Sequence, residues 1–166
     1  YFVKKNLSDV VVVSPDHGGT TRARKLAEIL DSPIAIVDKR RPKPNSAEVM
    51  NLIGDVKDKN CVIIDDMVDT AGTLAIVVDK LMEQGAKSVY ACCSHALLSG
   101  NACDKLDRTQ LKELVITNSV RLPDEKKEKY PWIKQLSIAT LLARGIMNIV
   151  DDKPVSDLFT YTKEEL

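Results

Sequence analysis

The chain has 166 residues, and 24 lysines and arginines balance 24 aspartates and glutamates, so its formal net charge is zero. This balance argues against nucleic acid as a partner, because general nucleic-acid binding usually depends on a basic surface. Hydrophobic residues make up 44% of the chain, which excludes a disordered protein, and no apolar run reaches the roughly 18 residues of a membrane span. We therefore expect a single domain over residues 1–166 and no membrane partner.

Strands and helices alternate along the first part of the chain. A continuous β-branched run over residues 9–14 predicts a strand that is buried on both faces. Residues 20–30 carry apolar side chains at a spacing of about 3.6 and predict a helix. A short strand follows at residues 34–37, and then a basic loop at residues 39–45 that two prolines interrupt. Residues 48–56 could form either a strand or a helix.

The same alternation continues to the end of the chain. Residues 61–65 predict the third clear strand, and residues 72–84 predict a helix that ends at Gly85. The remaining predictions are strands at residues 89–93, 113–117 and 135–138 and a last helix at residues 139–149. Strands separated by helical segments predict parallel βαβ units, so the expected fold class is α/β with a doubly wound, mainly parallel sheet.

The cysteine spacing and the first residues of the chain indicate the cellular compartment of the protein. The four cysteines form no CxxC pair, so the spacing of a zinc site or a disulfide framework is missing. The first residues contain neither an apolar core segment nor a cleavage site of a secretory signal. We therefore expect reduced, buried thiols in a cytoplasmic protein. Because the sequence starts at Tyr1 rather than Met, we also expect it to be part of a longer chain.

Chemistry is expected at the carboxyl ends of the strands, where open α/β sheets bind their ligands. The strand at residues 61–65 ends in Asp65 and Asp66, and a turn rich in threonine and glycine then opens a helix. Backbone N–H groups at a helix start bind anions, and Thr70 and Thr73 add hydroxyl donors. A phosphorylated sugar would suit both parts of this segment, because its phosphate could bind the turn and its hydroxyls could donate to the acids. The alternative is a capped helix beside solvated acids.

A second candidate segment follows the first strand. Gly18 and Gly19 form a turn at a helix start, which suits a diphosphate, and Asp16 could be a ligand of Mg²⁺. Many ordinary strand-to-helix turns also carry two glycines, so this alternative stays open. His17 is expected to stabilise the loop rather than to catalyse.

The third candidate segment is the basic loop at residues 39–45. Four cations lie within five positions and could close over phosphates and neutralise developing charge. Such a short basic run is also typical of a solvated loop or a nucleic-acid patch. Neither histidine of the chain has an obvious serine or cysteine partner, so we expect no nucleophile–base pair.

These segments together resemble a known family. Residues 62–73 resemble the phosphoribosyl-diphosphate (PRPP) motif of the type I phosphoribosyltransferase fold. Residues 14–19 and 38–45 are similar to segments of the class I bacterial ribose-phosphate pyrophosphokinases, the PRPP synthetases, and so are residues 94–100, 115–119 and 155–159. The similarity covers nearly the whole chain and corresponds to the C-terminal half of that family's longer chain.

The resemblance implies an activity and roles for individual residues. Enzymes of that family transfer the β,γ-diphosphate of ATP to the C1 hydroxyl of ribose 5-phosphate, which gives PRPP and AMP, and they use Mg²⁺ and form hexamers. The resemblance implies catalysis by Lys39 and Arg41, a diphosphate loop at Gly18 and Gly19, and Asp16 as the metal ligand. The residues implied to bind ribose 5-phosphate are Arg41, Asp65, Asp66, Asp69, Thr70, Ala71, Gly72 and Thr73.

Two other functions stay open beside this one. A PRPP-dependent phosphoribosyltransferase would share the motif at residues 62–73 but would need a segment that recognises a base. A catalytically silent regulatory subunit of a PRPP synthetase would share the whole chain. Under the leading hypothesis, the chain by itself is expected to bind ribose 5-phosphate without turning it over.

Overall fold

The structure is a computed structural model, and it describes residues 1–40 and 49–159. The described strands are β1 (Val10–Ser14), β2 (Ile34–Arg40), β3 (Val49–Ile53), β4 (Asn60–Val68), β5 (Ser88–Ala96), β6 (Leu111–Thr117) and β7 (Ile133–Leu136). The described α-helices are α1 (Phe2–Lys5), α2 (Thr20–Leu30), α3 (Gly72–Glu83), α4 (Ala102–Asp107), α5 (Asp124–Lys129) and α6 (Ala139–Val150), and a 3₁₀ turn follows at Ser156–Phe159.

The seven described strands form one sheet in the order β3-β2-β1-β4-β5-β6-β7. Every neighbouring pair is parallel except β2 and β3, which run antiparallel at one edge. From β1 the chain first adds β2 and β3 on one side and then returns to add β4 on the other side. The parallel neighbours β1 and β4 are therefore separated in sequence by two other strands. This arrangement confirms the α/β class with a doubly wound, mainly parallel sheet.

Pairing between strands corrects several predicted boundaries. Residues 48–56 contain the edge strand β3, and β2 extends through Arg40 because Lys39 and Arg40 pair with Met50 and Val49. Lys39 and Arg40 therefore belong to a strand and not to the predicted basic loop, and the rest of that predicted loop, residues 41–45, lies outside the described residues. The strand β4 extends past the predicted end at Asp65, since its last residues continue to pair with β5. The strand β7 ends at Leu136, before the predicted 138.

The core lies on both faces of the sheet. Residues Val11 to Val13 of β1 are fully buried, which confirms a strand covered on both faces. On one face α3 packs with Leu74, Val77, Val78 and Leu81, the apolar stripe that its sequence predicts. The helix α3 ends at Glu83 with Gln84 as its C-cap, one residue earlier than predicted. Gly85 follows the cap in a left-handed conformation at φ 84°, where a residue with a side chain would be strained.

The last helix carries large apolar side chains that are largely exposed. Within the described residues, α6 has no buried residue, and Ile146, Ile149 and Val150 are more than 60% exposed. An apolar groove of about 610 Å³ lies between α6 and the 3₁₀ turn. In the described ranges, no helix combines the length and the apolar character that crossing a bilayer requires.

The cysteines are free thiols, as their spacing predicts. Cys61, Cys93 and Cys103 are buried, and Cys92 is partly buried. Burial raises the pKa of the Cys61 thiol to about 12, so this side chain stays protonated at neutral pH.

Candidate functional site

An open cleft of about 220 Å³ lies at the carboxyl ends of β1 and β4. It brings Asp16 close to the segment around Asp65, about fifty residues away in sequence, whereas the predicted diphosphate residues Gly18 and Gly19 do not line it. Its lining residues are Asp16, Asp65, Met67, Val68, Asp69, Thr70, Ala71, Gly72, Thr73 and Leu74. The structure thus places Asp16, Asp65 and all five predicted turn residues around one cavity, at the edge where open α/β sheets bind ligands.

The turn from Asp69 to Thr73, which we call the phosphate turn, presents free backbone donors. Ala71 caps α3 in a left-handed conformation at φ 58°, and its side chain makes no capping hydrogen bond. The first hydrogen bond of the helix runs from the N–H of Ala75 to the oxygen of Ala71, at 2.9 Å. Within the described part of the chain, the N–H groups of Gly72, Thr73 and Leu74 therefore have no partner. Free donors and the positive end of the helix dipole suit an anion.

The phosphate turn is held in place by the segment that follows β5. The N–H of Leu98 donates to the oxygen of Val68 at 3.1 Å, and the N–H of Ser99 donates to the oxygen of Asp69 at 3.0 Å. Lys105 donates from Nζ to the oxygen of Thr70 at 3.1 Å and adds a positive charge beside the turn. No local sequence pattern indicates these contacts, because the partners lie some thirty residues apart.

The glycines of the site differ in why they are needed. A Cβ at Gly72 would meet only Thr70 Oγ1, at 4.0 Å, so the fold itself leaves this position open toward the cleft. A Cβ at Gly19 would lie 2.9 Å from Oγ of the buried Ser14, so packing excludes a side chain there. At Gly18 a Cβ would lie in ordinary contact, 3.4 Å from Asp16 Oδ1. Only Gly19 is therefore required by the packing of the Gly-Gly turn.

The Gly-Gly turn is ordered by its own side chains. Oδ1 of Asp16 accepts from the N–H of Gly19 at 2.9 Å, and the hydroxyl of Ser14 donates to the oxygen of Asp16 at 2.6 Å. His17 Nε2 lies 2.8 Å from Oδ1 of the buried Asp38 in β2, which agrees with a structural role for this histidine. Oδ2 of Asp16 makes no hydrogen bond within the described ranges, so one oxygen of this acid can still accept a ligand.

A cation that no sequence motif indicates, Arg22, lies at the two acids of β4. Nη2 of Arg22 lies 2.8 Å from Oδ2 of Asp66, and Nη1 lies 3.4 Å from Oδ1 of Asp65. Burial raises the pKa of Asp65 above its usual value. Burial acts on Asp66 in the same direction, but the Arg22 guanidinium and hydrogen bonds outweigh it and lower the pKa of Asp66. Of the two acids, Asp65 lines the cleft and Asp66 does not.

His95 has a serine neighbour that is not obvious from the sequence. Its Nδ1 lies 3.0 Å from Oγ of Ser119, at the carboxyl ends of β5 and β6. The Ser119 hydroxyl donates to the oxygen of Ser94 at 2.7 Å, so the imidazole must donate to the serine oxygen. The contact orders the loop and does not activate a nucleophile.

Other predicted residues fall beyond what the structure describes. Arg41 lies outside the described residues, and Lys39 is described only as a backbone position in β2. Within residues 1–40 and 49–159, no group of three or more histidines, cysteines or acids is arranged to hold a metal ion by itself.

Residues 2–127 match the sequence profile of the phosphoribosyl transferase domain, and the chain belongs to this family. The ribose-phosphate pyrophosphokinase of Bacillus subtilis (strain 168) is 55% identical over 161 residues, which cover 96% of this chain and 50% of the relative. The chain thus spans about half the length of the curated relatives that it matches.

Two solved structures are similar as well. The phosphoribosylpyrophosphate synthetase of Mycobacterium smegmatis matches with a TM-score of 0.80 and 35% identity, over 91% of this chain and 49% of that chain. The orotate phosphoribosyltransferase of Aeropyrum pernix matches with a TM-score of 0.52 and 25% identity, over 64% of this chain and 58% of that chain. The similarity to the synthetase is thus both closer and more extensive.

Proposed function

We propose that the chain forms the ribose 5-phosphate-binding part of a ribose-phosphate pyrophosphokinase. The complete enzyme would transfer the β,γ-diphosphate of ATP to the C1 hydroxyl of ribose 5-phosphate, which gives PRPP and AMP. The observation that carries the proposal is the cleft in which free N–H groups of the phosphate turn lie near the carboxylate of Asp65. Its two ends suit a phosphate and a polyol, and the names of the relatives point to the same reaction.

The chain's own groups suggest how the sugar phosphate is held. The N–H groups of Gly72 and Thr73 and the hydroxyls of Thr70 and Thr73 would donate to the 5-phosphate. Asp65 would accept from the ribose hydroxyls and so fix the direction of C1. Phosphoryl transfer depends mostly on positioning and on charge stabilisation, and these groups supply the positioning.

Mg²⁺ fits the acids of the cleft. This ion takes oxygen ligands, keeps several waters and usually binds through one or two carboxylates together with substrate phosphates. Asp16 and Asp65 line the same cavity, and Oδ2 of Asp16 is available, so these two acids would hold the ion beside a bound diphosphate. When bound, the ion would neutralise charge on the phosphates. Lys39 and Arg41 are proposed to act on the same charge, since β2 carries Lys39 to the edge of the sheet where the cleft lies.

Calorimetry with ribose 5-phosphate, inorganic phosphate and ribose tests the proposal on this chain. We expect ribose 5-phosphate to bind more tightly than phosphate and ribose not to bind measurably. Thr73→Val removes one exposed donor, so it should weaken ribose 5-phosphate binding by about 0.5–1.5 kcal/mol. Thr140→Val is the matched control, because Thr140 is likewise exposed and is the second residue of its helix, α6.

Phosphorus NMR then tests the reaction. With ATP, ribose 5-phosphate and Mg²⁺, this chain should perturb the 5-phosphate signal without forming AMP. Equal affinities for ribose and ribose 5-phosphate would contradict the proposal that the phosphate turn binds the 5-phosphate. Release of diphosphate from PRPP on addition of a nucleobase would instead favour a phosphoribosyltransferase.

A further inference from the structure

We propose that Arg22 is a positioning residue of the site, whose guanidinium holds the acid pair Asp65 and Asp66 so that Asp65 faces the cleft. This inference rests on the proposed sugar-phosphate function, and it adds a residue to which neither the motif nor the phosphate turn points. Arg22 acts through Asp65 and does not itself line the cleft.

The contacts of Arg22 match what a planar guanidinium can do. Nη2 and Nη1 reach one oxygen of Asp66 and one oxygen of Asp65, at 2.8 and 3.4 Å. These two carboxylates belong to neighbouring residues of β4 and lie close enough to act on each other. Two donors in a fixed fork can bridge two such acceptors, whereas the single ammonium of a lysine is a point charge that favours one of them.

The position of Arg22 links the two halves of the site. Arg22 lies in the first turn of α2, and the next residue, Ala23, is fully buried against β1, so the base of the arginine side chain is fixed. A Cβ at Gly19 would lie 3.4 Å from Nη1, which places the guanidinium beside the Gly-Gly turn as well. The cation therefore stands between the proposed diphosphate loop and the acids of β4.

Charge gives the physical reason for this arrangement. Two adjacent carboxylates repel each other, and Asp65 is about 28% exposed, which limits its screening by water. The N–H of Asp66 also donates to Oδ1 of Asp65, at 2.9 Å, and holds that one oxygen. Without the cation the repulsion between the two carboxylates would act against this single hydrogen bond, and the orientation of Asp65 that recognition of a diol requires would be less well fixed. Arg22 compensates both charges at once.

Calorimetry with two ligands tests this role. Arg22→Gln should weaken ribose 5-phosphate binding about tenfold, on the scale of a lost charge-assisted hydrogen bond, and should leave inorganic phosphate affinity within about twofold. Arg22→Lys should restore only part of the loss. Arg24→Gln, two positions along the same helix and exposed, is the matched control and should change neither affinity. An equal loss for both ligands, or complete rescue by Arg22→Lys, would overturn the proposal.

A second measurement does not depend on ligand binding. Carbon NMR of the ligand-free chain at constant pH should show displaced carboxylate signals of Asp65 and Asp66 in Arg22→Gln and unchanged signals of Leu114 in β6. Unchanged carboxylate signals would refute the positioning role. If wild-type protein binds neither ligand, the proposed function fails, whereas the NMR comparison still decides the role of Arg22.

Discussion

Replacing Gly19 by alanine should destabilise the protein far more than replacing its neighbour Gly18. The added Cβ at Gly19 would lie 2.9 Å from Oγ of Ser14, which is fully buried and donates to the Asp16 carbonyl at 2.6 Å, so neither atom can move freely. Overpacking of this kind costs about 1–3 kcal/mol. At Gly18 the contact is ordinary, and alanine restricts the unfolded chain, so a change between zero and a gain of about 1 kcal/mol is expected.

Urea unfolding followed by the fluorescence of Trp132, the single tryptophan, measures both variants. The Ser14→Ala background provides the internal check, because it removes the atom with which the new Cβ collides. In that background the cost of Gly19→Ala should fall by at least about 1 kcal/mol, as a coupling energy between contacting residues. Equal costs for Gly18→Ala and Gly19→Ala, or additive costs with Ser14→Ala, would refute the steric reasoning.

Three further predictions concern the site, the pH dependence and the thiols. Gly72→Ala should change the free energy of unfolding by less than about 1 kcal/mol but weaken phosphate binding measured by calorimetry, because the methyl group enters the open cleft. A large loss of stability together with the loss of binding would contradict this. Burial raises the pKa of Glu113, but hydrogen bonds from Lys5 and Tyr1 outweigh burial, so the net effect is a lowered pKa. The ionised Glu113 therefore stabilises the folded state above about pH 4.3, and this stabilisation is lost as the pH falls through the lowered pKa. Lys5→Met should therefore cost about 1 kcal/mol at pH 7 in urea unfolding and much less in acid; a cost independent of pH would exclude this origin. Cys61 should resist Ellman's reagent at pH 8 until the chain is unfolded, and immediate reaction in the native state would contradict its burial.

The sequence predicts the central elements of the fold because their signals are local. The β-branched run of β1 and the 3.6-residue spacing of α2 and α3 require no knowledge of the partner elements. The edge strand β3 stayed ambiguous because its residues alternate weakly, and its pairing with β2 decides the outcome. The short helices α4 and α5, of six residues each, give too little periodicity to be recognised.

In the candidate site, too, the features that local sequence encodes are predictable and the long-range contacts are not. The phosphate turn was predictable because its donors lie next to each other in sequence and open a helix. The contact of Arg22 with Asp65 and Asp66 joins residues more than forty positions apart, and the anchoring of the turn by Lys105 spans 35. Such contacts depend on which strands become neighbours, and no local pattern encodes that order.

The strand order also has a consequence for how the chain reaches its fold. The centre of the sheet is the pair β1 and β4, in which Val10 lies opposite Asn60 and Val13 opposite Ile63. During synthesis, β1 can pair with β4 only after about fifty further residues have left the ribosome. Folding dominated by such distant parallel pairings is slow, and it leaves apolar strands exposed in the meantime. The nascent chain is therefore expected to depend on chaperones most while residues 14–60 emerge.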